Sequence, residues 1–339
     1  MKPVAYWLCI VLAAIVSVPV FLAMAFVTLH VVYRIRFLEQ VIRIFETKPL
    51  FIVPAGQPVS DCEDVTIPTS DGLLLRGCYL RARGPRKGVL LFGLEFGSSR
   101  WTSVQYCEKL RDAGYDVFGF ETRNQGDSDR DPNYDPLQWV SNKDLTDARA
   151  ALVYLLARND ADPRGVGIFG ISKGGSLGLL LAAENPSVRC ITTDGAYATY
   201  TTMLPYMRRW VNIYSPHKRL QKFAPDCLYG SVGQVAIRRS AERRGVKFVS
   251  LERVSHLITQ PLLMIHGESD TYIKPEMAKT LFSYIASKCK DIWLVPGAKH
   301  NQAPLVVADE YHRRVVEFFD EHLGNVAYHP EMTTDYHTA

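Results

Sequence analysis

Ten residues, Val166-Gly167-Ile168-Phe169-Gly170-Ile171-Ser172-Lys173-Gly174-Gly175, constrain the fold more than any other stretch of the chain. A short apolar run enters a turn with glycine two places before and two places after a serine, and a helical segment opens near Ser176. The G-x-S-x-G spacing needs those small residues because the turn is too tight for side chains. Such a turn lifts the hydroxyl above the edge of a sheet and sets it at a helix N-terminus, which favours developing negative charge. The overlapping string Gly165-Val166-Gly167-Ile168-Phe169-Gly170 matches G-x-G-x-x-G, but its glycines fall within the strand and not after it, so a dinucleotide site is excluded. A phosphate-binding loop fails as well: Lys173 lacks a preceding glycine and is followed by Gly174 instead of Ser or Thr.

The flanking pattern supplies the sheet that such a turn requires. Val65-Thr66-Ile67 and Leu73 to Arg81, separated by Ser70-Asp71-Gly72, predict an antiparallel hairpin. Continuous apolar runs follow at Val89–Phe92, Val117–Phe120, Val166–Phe169, Cys190–Thr193, Leu262–Ile265 and Ile292–Val295. Runs of this kind suit strands covered on both faces of a mostly parallel sheet. Helical segments lie between most of them, at Ser103–Ala113, Leu145–Arg158, Ser176–Glu184 and Glu276–Ala286, and a last one spans Ala308–Leu323. The expectation is one doubly wound α/β domain with eight strands and helices on both faces. One connection is too long for a simple crossover, which needs about a dozen residues. Residues 200–258 are therefore read as an inserted helical cap. This cap carries eleven Lys and Arg residues against three acidic ones, while the whole chain has a net charge of only +4. A solvated basic face is the plain reading; contact with anionic headgroups or an anionic substrate is the sharper one. The mild overall charge gives no support to nucleic-acid binding.

Between Lys2 and Arg34 no residue is charged. About 20 apolar residues suffice to cross a bilayer, so residues 1–33 are read as one transmembrane anchor. Ala23-Met24-Ala25 would fit signal cleavage, yet the run stays apolar through Val32 and exceeds the roughly 7–15 residues of a signal core. Arg34, Arg36 and Arg43 outweigh Lys2 and favour a cytoplasmic domain. Cys9, Cys62, Cys78, Cys107, Cys190, Cys227 and Cys289 contain no C-x-x-C pair, and an odd, scattered set reads as small buried hydrophobes in a reducing compartment, with a few free thiols in an exported protein as the alternative. Residues 34–60 form a juxtamembrane linker, whose first part is either an interfacial helix or a continuation of the anchor. Pro49, Pro54, Gly56 and Pro58 mark entry to the globular domain at 61–325, and 326–339 are expected to be a flexible tail.

With the strand-serine-helix unit and the alternating order in place, the chain resembles an α/β-hydrolase over about residues 61–325, in the lipase, esterase and serine-aminopeptidase-like branch. The resemblance implies an acid after the seventh strand and a histidine after the eighth. Those positions are Asp270, ending Ile265-His266-Gly267-Glu268-Ser269-Asp270, and His300, ending Val295-Pro296-Gly297-Ala298-Lys299-His300. Glu268 and Asp194 stay open as alternative acids. The order Ser, Asp, His along the chain is the one this fold uses. Backbone N–H groups of Lys173 and Leu94 are the implied oxyanion donors, although Phe92-Gly93 stands where the family commonly has His-Gly. Arg123-Asn124-Gln125-Gly126-Asp127-Ser128 resembles a structural loop of the family. The implied chemistry is acyl transfer through Ser172, His300 and Asp270, with a small-molecule or lipid acyl substrate and without a cofactor or metal. A carboxylic ester is the first expectation, and a thioesterase or peptidase is the alternative. A catalytically silent binding protein is the rival from another class. The sequence does not fix the oligomeric state.

Overall fold

A computed structural model describes residues 2–48, 56–214 and 225–324. The tail at 326–339 therefore lies outside the described residues, as do Lys218, Arg219 and Lys222 of the basic insertion. The chain divides into two compact units, one made of 1–47 with 203–243 and the other of 48–202 with 244–339.

The first unit is helical. Helix α1, Lys2–Glu46, runs without interruption through Pro19 and past Arg34, so the segment after the apolar run continues the same helix. Its most apolar window has a mean hydropathy of 2.8 and no buried residue. By length and composition this helix can cross a membrane, and a signal sequence would pass the same test. Residues 203–214, the distal part of the helix Thr199–Tyr214, and a helix at Asp226–Arg243 complete the unit. The latter turns Leu228, Tyr229, Val232, Gly233, Ala236, Ile237 and Ser240 inward, a spacing of three and four that defines one helical face. It meets α1 through His30 Nδ1 and Ser231 Oγ at 2.9 Å, and Ser240 Oγ donates to Glu46 Oε1 at 2.6 Å. Much of the described basic charge is matched locally: Arg208 pairs with Asp226, Arg239 with Glu242 and Arg243 with Glu39.

The second unit holds the sheet. Its strands are β1 Cys62–Pro68, β2 Leu74–Leu80, β3 Gly88–Gly93, β4 Tyr115–Phe120, β5 Val166–Ile171, β6 Val188–Asp194, β7 Leu262–Gly267 and β8 Lys290–Val295. They lie in the order β1-β2-β4-β3-β5-β6-β7-β8. β1 and β2 form the hairpin, β2 runs antiparallel to β4, and all remaining pairs are parallel. Every residue of β3, β4, β5 and β7 is buried, because helices cover both faces. Helices α2 (Thr102–Asp112) and Ala308–Phe319 pack on one face, through Leu110, Val315 and Phe319. Helices α3 (Asn142–Leu156) and α4 (Lys173–Glu184) pack on the other, through Leu145, Leu152 and Leu179.

The connections from β3 leave toward β4, while β5 lies on its other side, so strand order reverses between β3 and β5. Ligands of open α/β sheets bind at the carboxyl ends of strands beside such a reversal. There β3 delivers Leu94 and β5 delivers Ser172.

One expectation is corrected. Cys62 and Cys78 are joined as a disulfide across the hairpin, with Cα atoms 5.7 Å apart. Cys107 and Cys190 are buried thiols, as a small apolar residue would be, whereas Cys227 and Cys289 are exposed and depart from that reading.

Candidate active site

Ser172 stands between β5 and α4 with φ 52° and ψ −118°, a backbone state that a non-glycine residue adopts only when its surroundings enforce it. The enforcement is visible. Ser172 N donates to Asp194 O at 2.7 Å, tying the turn to the end of β6. A Cβ at Gly170 would meet Gly174 O at 2.6 Å, and one at Gly174 would meet Gly93 C at 2.2 Å. These contacts are the physical content of the two glycines in G-x-S-x-G.

The loops after β7 and β8 bring two more side chains to the serine. Ser172 Oγ lies 3.0 Å from His300 Nε2, and His300 Nδ1 lies 2.6 Å from Asp270 Oδ2. Asp270 Oδ1 accepts from Tyr272 N at 2.8 Å and Ile273 N at 2.9 Å, so the carboxylate is aimed by its own loop. Ser172 and Asp270 are both buried. His266 is buried within β7, with Nε2 2.7 Å from Ile273 O; burial holds its pKa below the ordinary histidine value. Of the other candidate acids, Glu268 is exposed. Asp194 is fully buried but accepts from Tyr311 Oη at 3.1 Å, and burial pushes its carboxyl up to about 7. The structure therefore brings Asp270 to the histidine and leaves Glu268 and Asp194 apart from it.

The two amide donors implied by the resemblance lie on segments in contact, since Gly174, next to Lys173, abuts the loop after β3. Lys173 N is in the first turn of α4, where N–H groups have no partner within the helix. Leu94 N belongs to the loop after β3, 2.6 Å from where a Cβ on Gly174 would stand. The Lys173 side chain, which no local pattern singles out, turns inward. Its Nζ donates to Asp144 Oδ1 at 2.9 Å and to Leu137 O at 2.8 Å, both buried. Asp144 also serves the capping box of α3 with Ser141 and accepts from Tyr134 Oη at 3.0 Å.

The loop after β3 is held differently from the resembled pattern. Phe92 packs against Tyr106 and Phe169 in the core. Hydrogen bonds to the loop come through Glu95: its Oε2 accepts from Asn301 Nδ2 at 2.6 Å, and its main-chain oxygen accepts from Gln125 Nε2 at 3.1 Å. Gln125 lies in the loop after β4, whose Arg123 is buried against Asp147 and also pairs with Asp71. Nothing in the sequence marks Glu95, since a carboxylate in a loop ordinarily reads as solvated. Among the described residues no group of three or more His, Cys, Asp and Glu side chains is arranged to hold a metal ion.

Comparison with known proteins agrees with this architecture. The alpha/beta hydrolase fold family matches residues 90–228. The chain is 21% identical to an esterase of Pyrococcus furiosus, Pf2001, whose solved structure superposes with a TM-score of 0.60 over 82% of this chain and 99% of that one. An alpha/beta hydrolase, GrgF, from Penicillium covers 77% of this chain and 99% of its own at 18% identity and a TM-score of 0.58. Among curated proteins, the alpha/beta hydrolase domain-containing protein WAV2 of Arabidopsis thaliana is 21% identical over 271 residues, 77% of this chain and 79% of that protein. The uncharacterized protein YfhR of Escherichia coli is 24% identical over 266 residues, 76% and 80% of the two. The chain has the fold of the alpha/beta-hydrolase superfamily.

Proposed function

We propose that this protein is a membrane-anchored serine hydrolase that cleaves carboxylic esters of small-molecule or lipid acyl substrates. The observation that carries the reading is the continuous chain Ser172 Oγ, His300, Asp270 at 3.0 Å and 2.6 Å, with the serine on a strained turn at a sheet edge. His300 Nε2 takes the Ser172 proton as Oγ attacks the ester carbonyl carbon. Asp270 holds the ring through Nδ1 and stabilises the imidazolium. The N–H groups of Leu94 and Lys173 receive the oxyanion of the tetrahedral intermediate. His300 then gives its proton to the departing alkoxide, leaving an acyl-Ser172 that water hydrolyses by the same steps in reverse roles. The esterase name of Pf2001 from Pyrococcus furiosus supports the choice of ester.

A fluorophosphonate probe tests the nucleophile. Detergent-solubilised wild type should label covalently and Ser172→Ala should not, with the two proteins unfolding alike. A folded wild type that stays unlabelled overturns the enzyme reading and leaves a binding protein on a hydrolase fold.

The anchor is proposed on the length and apolarity of α1. Two observations oppose each other on its orientation. Arginines after the span favour a cytoplasmic domain, whereas the Cys62–Cys78 disulfide belongs to an oxidising compartment. Mass-tagged maleimide applied to cells lysed under acid quench, with and without prior reductant, decides between them. A cytoplasmic domain leaves Cys62 and Cys78 taggable without reductant, and an exported one protects both until reductant is added.

A further inference from the structure

We propose that Glu95 is a positioning residue for this reaction, tying the loop that carries the Leu94 oxyanion donor to the loop that carries His300. The inference rests on the hydrolase reading and adds a part that the nucleophile, histidine and acid do not supply. In that mechanism two loops must hold their geometry together: the strand-β3 loop, which presents an amide to the oxyanion, and the strand-β8 loop, which presents the imidazole to Ser172. A misplacement of about 1 Å between such groups costs on the order of a hundredfold in rate.

Glu95 directly follows Leu94, and Asn301 directly follows His300. The Glu95–Asn301 hydrogen bond, at 2.6 Å, therefore joins the neighbours of the two functional groups across 206 residues of chain. Both ends of this tie are themselves fixed. On the Glu95 side, the main-chain oxygen accepts from Gln125 Nε2, from Ser98 N at 3.3 Å and from Ser98 Oγ at 3.0 Å. On the Asn301 side, the residue takes φ 55°, a left-handed state that asparagine tolerates better than most residues. Gly195 closes the back: a Cβ there would meet Asn301 Oδ1 at 2.5 Å and His300 Cε1 at 3.1 Å. The Asn301 amide is thus wedged between Gly195 and Glu95, and the imidazole shares the same wall.

Chemistry explains why a carboxylate is informative here. Glu95 is only 4% exposed, and burial raises its pKa above the ordinary glutamate value, with the Asn301 N–H opposing that rise. A charge so placed is unfavourable for folding alone. Glu95 Oε1 and Asn301 Oδ1 have no partner among the described residues, so the single bond between Oε2 and Nδ2 carries the tie.

The test is a set of variants in the full-length, detergent-solubilised protein: Glu95→Ala, Asn301→Ala, the double Ala variant and Glu95→Gln. The readouts are kcat and KM on p-nitrophenyl butyrate, the fluorophosphonate labelling rate and the thermal midpoint. Glu95→Ala and Asn301→Ala should each lower kcat about 10- to 100-fold with KM within about threefold. The double variant should lose no more than the worse single, because both break one tie. Glu95→Gln should recover kcat to within about threefold, since its amide oxygen accepts from Asn301. The proposal is overturned if folded Glu95→Ala keeps wild-type kcat, if the two losses multiply, or if Glu95→Gln is as slow as Glu95→Ala. Should Glu95→Ala not fold, Asn301→Ala and Glu95→Gln still decide. Failure of the wild type to label at all sinks the hydrolase reading instead, so the two failures are distinguishable.

Discussion

Asp194 ends β6 and Asp270 stands in the loop after the adjacent parallel strand β7; both are buried, yet their carboxyls live in opposite circumstances. Asp270 has both oxygens engaged: Oδ1 by two backbone amides of its own loop and Oδ2 by His300. Asp194 has one hydroxyl donor, Tyr311, on Oδ2, and its Oδ1 has no partner among the described residues. Its main-chain carbonyl, by contrast, accepts from Ser172 N and helps hold the serine's turn. A carboxylate survives in a low-dielectric site only where donors replace water. Burial at this edge of the sheet does not by itself supply a carboxyl with donors; for Asp270 the amides of the following loop supply them.

Substituting each aspartate in turn breaks the comparison if it is wrong. Asp270→Asn keeps the shape but offers His300 Nδ1 an amide, which favours the wrong ring tautomer for a base at Nε2. The expected loss in kcat is about 10³- to 10⁴-fold on p-nitrophenyl butyrate, with KM changed far less. Asp194→Asn should leave kcat within about threefold, because its carboxyl touches neither Ser172 nor His300. Equal losses from the two variants would place Asp194 in the catalytic machinery and remove the distinction.

The same contrast explains what the sequence could and could not reveal. Asp270 is singled out by the resemblance alone, through its loop position after β7; the local pattern does not separate Asp194 from it, because the burial of Asp194 and its contact with Tyr311, 117 residues away, leave no trace there. Six of the eight strands are legible because parallel strands covered by helices are continuous apolar runs, and each run here is one strand; β1 and β2 are legible from the turn residues Ser70-Asp71-Gly72 between them. Two readings of 34–48 were open from periodicity, and the structure has one helix to Glu46, since no glycine or proline lies between Arg34 and Glu46 to break it. Long-range pairings were invisible. Cys62 and Cys78 are neighbours only because the register sets Cys62 opposite Leu80. Residues 203–243 group with α1 through contacts such as His30 with Ser231, which no window of sequence contains. Glu95 belongs to this class: its meaning comes entirely from Asn301.

A smaller effect sharpens the comparison in stability instead of rate. Burial raises Asp194 to about 7 from an ordinary value of 3.8. The folded state therefore keeps this proton where the unfolded chain has lost it, and the contribution falls as pH rises from about 4 to 7. Asp147 follows the same direction, raised to about 6 by burial against the pull of Arg123, so wild type alone cannot isolate Asp194. The difference between wild type and Asp194→Asn can. Asparagine has no proton to lose, and the variant should gain on wild type across that window, by about 1–3 kcal/mol at pH 8 relative to pH 4. Urea unfolding of both proteins in detergent at pH 4, 6 and 8, followed by tryptophan fluorescence, measures it. A gap that does not change with pH would mean that Asp194 titrates alike in the folded and unfolded chain. In that case the missing donors on its carboxyl would cost nothing, and the contrast with Asp270 would rest on geometry alone.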